Sequence, residues 1–479
     1  MKMQLGMANR NHPDKYLLFL WAALTCFLAV CVFFLVHHAS WGLGDEVIVI
    51  HHTGMGKAFS PLGFEGMVTQ YGRLYPFAYN LYNILLLFYD SYVPPTAVYV
   101  LHAVALVIFA VSFAFLALHL VRSVASPWKY ATVFFFVVIC VFRVLTEFLS
   151  CYTGVWIVFL FLSLFLLFTC RFMDSGNWLE GVLALLSINY AIYCYETVFT
   201  IPMALGMCTL LFQGRKLTSG QKWFQGLLVG SGLLFLAVYA VVVLPRAQSF
   251  YQHYGTSSFL ANLLKMFIAN KLYWLSFVVL VVRAVMFLKR KAAYTFYDSL
   301  LLASFAYFAG AAVLKLNFTY YSNIGALVGL TASLFFLKDW LKPQWVCLVM
   351  LVFALFYGRK VPGVIRGSQA GRKEVSETMD YLSGQMDEGE NLFWYEPVYE
   401  GTSPSYLDMR ITSKVRIEVY LSWLQHRTVS IPGREVFDGE KGIWMVYEVN
   451  DPALPETPSA LKDQDRVVSL GGIKGYQCP

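Results

Sequence analysis

The stretch YLLFLWAALTCFLAVCVFFLV, residues 16–36, decides the fold class of this 479-residue chain. It carries no charged residue and is long enough to cross about 30 Å of hydrocarbon as one helix. The stretch is too long for the core of a signal peptide and no small-residue cleavage site follows it, so we expect an uncleaved anchor. Lys2, Arg10 and Lys15 precede it and predict a cytoplasmic N-terminus.

The rest of the chain repeats this pattern. Hydrophobic residues make up 58% of the sequence and charged residues only 14%, which is typical of a multi-pass membrane protein. We therefore predict an all-α polytopic membrane protein with about eleven transmembrane helices, spanning residues 1–358. The further apolar runs are 96–121, 130–150, 153–170, 178–193, 198–212, 223–244, 272–288, 296–314, 321–337 and 344–357.

Residues 77–92 are apolar but short, and polar residues interrupt them, so they form either a poor span or a helix at the membrane interface. The interfacial interpretation places five basic groups in the cytoplasm with the N-terminus, whereas a span would place all of them outside. We therefore expect an interfacial helix. Because the net charge of +7 is explained by such loops, it indicates no nucleic-acid partner. The basic groups are Arg122 and Lys129, Arg171, Arg215 with Lys216 and Lys222, Lys289 to Lys291, and Lys338 with Lys342.

Residues 359–479 are more polar than the preceding apolar part, which indicates a second domain. By the parity of the spans this part lies outside the cytoplasm, although it begins with several basic residues. Helical spacing precedes strand-like segments at 391–396, 415–421 and 442–449. We expect a small extracytoplasmic α/β domain of roughly 100 residues.

The first outer loop, predicted at 37–95, contains the strongest candidate for catalysis. Asp45 and Glu46 follow the first span closely, and Gly42 and Gly44 allow a tight turn there. One of the two carboxylates could act as a general base. The alternative is that they are ordinary solvated loop acids.

Charged residues near other outer segments have two interpretations. Arg143 and Glu147 share one face of a hydrophobic helix, where each is costly unless paired, so they form a structural ion pair or part of a site. Glu196, in the turn Tyr195-Glu196, is a further outward carboxylate with the same two interpretations. We treat all three as candidate substrate-binding residues.

Arg73, in the segment YGRLYP at 71–76, is the best candidate for binding phosphate, because its planar fork suits phosphate oxygens and Gly72 permits close approach. Lys57 and Arg246 are further outward cations within reach of lipid headgroups, and both are candidate substrate-binding residues. Arginine and lysine side chains near an interface also snorkel to lipid headgroups, which is the plainer interpretation of each of these two cations.

Metal binding has weak support in the sequence. His51 and His52 lie close to Asp45 and Glu46, and imidazole with carboxylate could bind a divalent ion such as Mg²⁺ or Mn²⁺. Adjacent residues in an extended segment point in opposite directions, which argues against the pair. None of the nine cysteines has metal-ligand spacing. We assign no metal ligands.

The chain resembles the GT-C superfamily of membrane glycosyltransferases. The resemblance is carried by Gly44-Asp45-Glu46 after the first span, by residues 72–76, by the interfacial segment 77–92 and by acidic residues at the second outer bend. It also covers the plan of about eleven helices followed by an outer soluble domain. The resemblance implies that Asp45 or Glu46 deprotonates an acceptor hydroxyl and that Arg73 steadies the departing lipid phosphate.

The function expected from this resemblance is inverting transfer of a sugar from a polyprenyl-phosphate donor. The acceptor would be a glycan, lipid or protein of the cell envelope, and the site would face the outside of a bacterial cytoplasmic membrane. A surface-polysaccharide polymerase or ligase is an alternative. A lipid-linked glycan transporter or flippase is another, which the absence of a visible internal repeat disfavours.

Overall fold

The computed structural model describes most of the apolar part of the chain and short pieces of the remainder. Five candidate residues of the predicted first outer loop lie outside the described residues: Asp45, Glu46, His51, His52 and Lys57. The structure describes residues 15–37, 39, 49, 58, 68–69, 72–89, 93–149, 154–248, 258–314, 319–366, 384, 392–395, 417–419, 421, 430, 432–434, 442–447, 467–470 and 473–478.

Helices account for nearly all of the described apolar sequence. Within the described residues, ten helical stretches are long and apolar enough to cross a membrane, and the 17-residue helix Trp178–Cys194 corresponds to the remaining predicted run, 178–193. The predicted polytopic all-α fold is thereby confirmed. In chain order the helices are α1 Lys15–His37, α2 Pro95–Leu120, α3 Trp128–Leu149, α4 Val155–Ser175, α5 Trp178–Cys194, α6 Thr200–Gln213, α7 Ser219–Val242, α8 Phe259–Ala269, α9 Lys271–Leu288, α10 Phe296–Val313, α11 Thr319–Trp340 and α12 Pro343–Gly358.

Local sequence explains where several helices begin and end. The Thr218 hydroxyl accepts from the backbone N–H of Gln221, and Gln221 Oε1 accepts from the backbone N–H of Thr218, which forms a capping box before α7. Asn270 ends α8 and caps α9 through its side chain. Gly176 follows α4 with a φ of 71°, a left-handed conformation that favours glycine.

The bundle has two ends, which we name after one arginine at each. At the Arg122 end, Arg122 lies 3.2 Å from Asp174, and Gln213 donates to the Tyr294 carbonyl. This end collects the loops that follow α2, α4, α6, α9 and α11, so the five predicted basic groups do share one end of the bundle. The Arg73 end carries the end of α12, where the Tyr357 ring lies against Arg143.

The segment predicted to lie at the interface contains a short 3-10 helix, Asn80–Leu87. Eight residues at about 2.0 Å per residue span roughly 16 Å, which is too short to cross a bilayer. Its inner side packs into the Arg73 end of the bundle, where Tyr82 and Leu85 are buried. Its outer side exposes Ile84 and Leu87.

One ion pair inside the bundle, between Arg283 and Asp298, is bidentate. Arg283 of α9 donates from Nε and Nη2 to the two carboxylate oxygens of Asp298 at 2.7 Å each, and Nη2 also donates to the Ala293 carbonyl. The backbone N–H of Thr295 donates to Asp298 as well. These hydrogen bonds offset much of the free-energy cost of removing the two charges from water.

The described C-terminal residues contain five strands: β1 Leu392–Tyr395, β2 Gly433–Arg434, β3 Gly442–Tyr447, β4 Val467–Leu470 and β5 Ile473–Cys478. They form a mixed sheet with strand order β2-β1-β3-β5-β4. The strands predicted at 391–396 and 442–449 are present as β1 and β3. The prediction of a strand at 415–421 is wrong, because the described residues 417–419 and 421 are helical. Ile417 and Leu421 are buried, and their spacing of four matches one face of a helix.

Candidate active site

The segment that carries Arg73 is fixed to the bundle through its backbone. Gly72 has a φ of 61°, and its carbonyl accepts a 2.7 Å hydrogen bond from the Tyr239 hydroxyl of α7. Four residues after Arg73, the N–H of Phe77 donates to the Tyr193 carbonyl near the end of α5 at 3.0 Å. The segment is therefore attached on both sides of Arg73, which places the guanidinium inside the protein.

Arg73 forms a buried ion pair with Glu196. Its Nε lies 2.6 Å from Glu196 Oε1, and the two side chains are 8% and 12% exposed. The guanidinium carbon lies 4.9 Å from the Tyr75 ring centroid and 5.3 Å from that of Tyr195. Burial acts to lower the pKa of Arg73, but Glu196 and the surrounding tyrosines outweigh it and raise the pKa above its ordinary value. Arg73 therefore remains a permanent buried cation.

Glu196 is presented by the break between α5 and α6. Tyr195 has extended dihedrals, and the short 3-10 helix Glu196–Phe199 follows before α6 begins. Only one carboxylate oxygen of Glu196 contacts Arg73. Among the described residues, Glu196 Oε2 and the Tyr195 hydroxyl are buried without a hydrogen-bond partner. Burial raises the pKa of Tyr195, so its hydroxyl stays protonated and can donate. Two unsatisfied polar atoms beside a cation are suited to a polar ligand.

The first turn of α11 brings further polar residues to this end of the bundle. The Tyr321 and Tyr195 ring centroids lie 4.9 Å apart, next to Arg73. The following two residues contact Asn270, whose side chain donates to Ser322 Oγ at 3.1 Å and to Asn323 Oδ1 at 3.2 Å. The run Tyr320 to Asn323 interrupts the apolar pattern at the start of a predicted span. That interruption is the signal by which the sequence could have identified these residues.

Arg143 hydrogen-bonds to Asn323 of α11 and not to Glu147, the partner that the spacing of four residues suggested. Its Nη2 donates to Asn323 Oδ1, and Asn323 returns a 2.7 Å bond to the Arg143 carbonyl. The guanidinium lies 4.7 Å from the Tyr357 ring centroid. Glu147 is buried one helical turn away and forms no salt bridge with Arg143. Glu147 therefore attracts Arg143 only at longer range, and the choice between a structural pair and a part of the site stays a prediction.

A buried polar network that the sequence analysis missed supports the short helix beside the site. His102 Nδ1 lies 2.9 Å from the Phe148 carbonyl, which can only accept, so this nitrogen carries the proton. His102 Nε2 therefore accepts from the Tyr82 hydroxyl at 2.8 Å. Trp156 Nε1 donates to the same hydroxyl at 2.9 Å. These bonds connect the 3-10 helix with α2 and α4.

Gly154 allows the backbone before α4 to approach the backbone of Ala78 closely. It precedes α4 with a φ of 62°, and a Cβ atom at this position would collide with the Ala78 carbonyl oxygen. Only glycine fits both the dihedral angle and the space. Gly154 therefore brings the end of the Arg73 segment against α4.

The other candidate residues are not all brought into this cluster. Arg246 lies after α7 and is exposed. Lys57 and the two carboxylates Asp45 and Glu46 lie outside the described residues, so their roles remain predictions. In the part of the chain that the structure describes, no three His, Cys, Asp or Glu side chains lie close enough to hold a metal ion.

Comparison with known proteins identifies the fold. ArnT from Cupriavidus metallidurans in the apo state superimposes with a TM-score of 0.53, at 10% sequence identity over 95% of this chain and 98% of ArnT. The same protein bound to undecaprenyl phosphate gives a TM-score of 0.47 at 11% identity, over 97% of this chain and 98% of ArnT. No family model matches the sequence, and no curated protein matches it. The likeness to apo ArnT shows that this chain shares the fold of that protein.

Proposed function

We propose that the protein is an inverting glycosyltransferase that moves a sugar from a polyprenyl-phosphate donor to an acceptor of the cell envelope. The observation that carries the proposal is the buried pair of Arg73 and Glu196 at one end of a bundle with the fold of ArnT. Beside the pair, Glu196 Oε2 and the Tyr195 hydroxyl lack a hydrogen-bond partner among the described residues. A fixed cation at this position suits a reaction in which negative charge develops on a leaving phosphate.

The reaction balances with groups that this chain offers. The acceptor oxygen forms a bond to the anomeric carbon while the bond from that carbon to the phosphate oxygen breaks, and the acceptor proton goes to a base. The polyprenyl phosphate leaves with the electron pair. We assign the base to Asp45, with Glu46 as its neighbour, from their position in the sequence just after the first span.

Arg73 would stabilise the departing phosphate without moving. Its surroundings hold the guanidinium in place before the donor binds, and preorganised charge is effective because it needs no rearrangement during the reaction. Glu196 positions Arg73 through Oε1, and its Oε2 together with the Tyr195 hydroxyl can bind a polar group of the substrate.

Further substrate-binding roles fall to residues around this cluster. Arg143 binds Asn323 near the start of α11, Glu147 is buried one helical turn from Arg143, and both would bind hydroxyl groups of the sugar or acceptor. Arg246 is exposed after α7 and, with Lys57, would attract the anionic donor from the membrane surface.

The proposed orientation follows from charge. The loops at the Arg122 end carry the basic groups, and the positive-inside rule places such loops in the cytoplasm. The Arg73 end and the C-terminal part would then face the outside of a bacterial cytoplasmic membrane. Donor and acceptor would meet there, at the outer leaflet.

The test is acceptor-dependent release of polyprenyl phosphate by the purified full-length protein in proteoliposomes. A panel of polyprenyl-phosphate sugars is offered with an envelope extract as acceptor, and both lipid and sugar products are measured. The proposal predicts cleavage of one donor with transfer of its sugar, and loss of both products in Asp45→Asn. Movement of intact donor between leaflets without cleavage would indicate a flippase and contradict the proposal.

A further inference from the structure

An apolar groove lies at the Arg122 end, far from the candidate active site. It has a volume of about 700 Å³ and runs between the first two turns of α1 and the start of α3. Its walls are mainly aromatic and aliphatic, including Phe19 and Ala23 of α1 and Ala131 and Phe134 of α3. A concave apolar surface of this kind can hold a hydrocarbon chain more closely than the convex face of a single helix.

The mouth of the groove carries positive charge. Lys15 lines it, with Nζ 5.4 Å from the Tyr16 ring centroid. Lys129 adjoins the lining residue Tyr130, with Nζ 5.5 Å from that ring centroid. None of the described residues that line the groove is acidic. The charge therefore favours a ligand with an apolar chain and a negatively charged head.

The glycosyl donor does not fit this description if its phosphate binds at Arg73. Helix α1 has 23 residues and is roughly 35 Å long, so its first turn lies a bilayer thickness away from the Arg73 end. A headgroup held by Lys15 and Lys129 must come from the other leaflet. The lipids that supply an anionic head and a long apolar chain in that leaflet are the phospholipids of the bilayer.

We propose that this groove is a binding site for an anionic phospholipid. One acyl chain lies between α1 and α3, and the headgroup phosphate is bound by Lys15 and Lys129. Helix α1 has few buried residues, and they lie along one side of it. A bound lipid would fill the gap between α1 and α3 and attach the first helix to the bundle.

Native mass spectrometry of the purified full-length protein tests this proposal. The protein is incubated with equal amounts of phosphatidylglycerol and phosphatidylcholine of the same chain length, and the retained lipid is identified. Each lysine near an anionic lipid surface strengthens binding by about 1 kcal/mol, which is about fivefold. With two lysines at the groove, we expect the protein to retain phosphatidylglycerol with at least about a tenfold preference over phosphatidylcholine. Retention of both lipids without preference would overturn the proposal.

Two variants with matched controls locate the bound lipid. Lys15→Gln with Lys129→Gln should abolish the preference, whereas Lys222→Gln, an exposed lysine at the same end, should leave it unchanged. Ala131→Trp should fill the groove and remove the retained lipid, whereas Ala22→Trp on the exposed face of α1 should not. Thermal unfolding of each variant confirms that it is folded.

Other occupants give distinct results that contradict the proposal. If polyprenyl phosphate displaces phosphatidylglycerol from the groove at equal concentration, the groove accommodates the donor. If deletion of residues 1–14 creates a lipid site that the intact protein lacks, the N-terminal segment is the occupant. If Lys15→Gln with Lys129→Gln keeps the full preference, the charge argument is wrong, even where Ala131→Trp fails to fold.

Discussion

The Nε atom of Arg73 lies 2.6 Å from Oε1 of Glu196, although 123 residues separate the two in the chain. The pair connects the segment before the short 3-10 helix Asn80–Leu87 with the turn between α5 and α6. It also places a buried cation beside two polar atoms that have no partner among the described residues. This relationship is the physical basis of the proposed phosphate site.

The first prediction concerns the stability that this pair provides. Arg73→Met should destabilise the protein by about 3–5 kcal/mol, because it leaves a buried carboxylate without its cation. Arg73→Met with Glu196→Gln should recover much of this loss, since neither charge then remains. The measurement is thermal or denaturant unfolding in detergent.

Arg122→Met is the matched control for that prediction. Arg122 also forms an ion pair, with Asp174, but the two side chains are 65% and 37% exposed. Exposed pairs contribute at most about 1 kcal/mol, so this variant should unfold nearly as the wild type does. Equal losses in Arg73→Met and Arg122→Met would show that burial of the Arg73 pair has no special role.

The second prediction concerns the proposed base. Asp45→Asn should lower the transfer rate by about 10²–10⁴-fold without affecting expression or folding, because it removes the base with little change in shape. Glu46→Gln is the companion variant, and it should retain more activity if Asp45 is the base. The assay is release of polyprenyl phosphate; full activity in Asp45→Asn would remove this residue from the mechanism.

The third prediction concerns the close approach at Gly154. Gly154→Ala should destabilise the protein by about 4 kcal/mol or more and reduce activity, because the new Cβ would collide with the Ala78 carbonyl and displace the Arg73 segment. Gly176→Ala has a similar left-handed φ, but its Cβ would meet nothing within 4 Å. It should cost only about 1–2 kcal/mol from the backbone conformation. Similar unfolding temperatures for the two variants would argue against the close approach.

The fourth prediction concerns the buried network under the short 3-10 helix. Tyr82→Phe removes the hydroxyl that connects His102 with Trp156, and should destabilise the protein by about 1–3 kcal/mol. Tyr89→Phe, close in the sequence, removes a hydroxyl for which no hydrogen bond to the described residues is found. Its unfolding should match that of the wild type, and a loss as large as that of Tyr82→Phe would contradict the assigned network.

The helices were predictable from sequence because a membrane span has a strong local signal. The apolar runs match the observed helices within a few residues, and the charges in the loops predicted which ends share a side of the bundle. The short helix Asn80–Leu87 was predicted less directly. A membrane span at this position would have placed all five basic groups on the outer side, so the charge pattern favoured an interfacial helix.

The pairing of side chains was not predictable in the same way. Arg143 has Glu147 four residues away, yet it binds Asn323, which is 180 residues distant and reaches it only through the packing of α11. The pairing of Arg73 with Glu196 depends on tertiary packing as well. At 415–421, apolar residues occur at every second position, which is typical of a strand, but the same residues include pairs four positions apart, which also suit a helix. The buried residues Ile417 and Leu421 form such a pair.

The position of a bound polyprenyl phosphate tests the central claim most directly. The measurement is a cryo-EM structure of the full-length protein in nanodiscs with polyprenyl phosphate added. The account predicts phosphate density in contact with the Arg73 guanidinium, beside Glu196 and within reach of Asp45 or Glu46. Phosphate density away from Arg73, with the carboxylates of Asp45 and Glu46 pointing into solvent, would contradict the proposed glycosyltransferase mechanism.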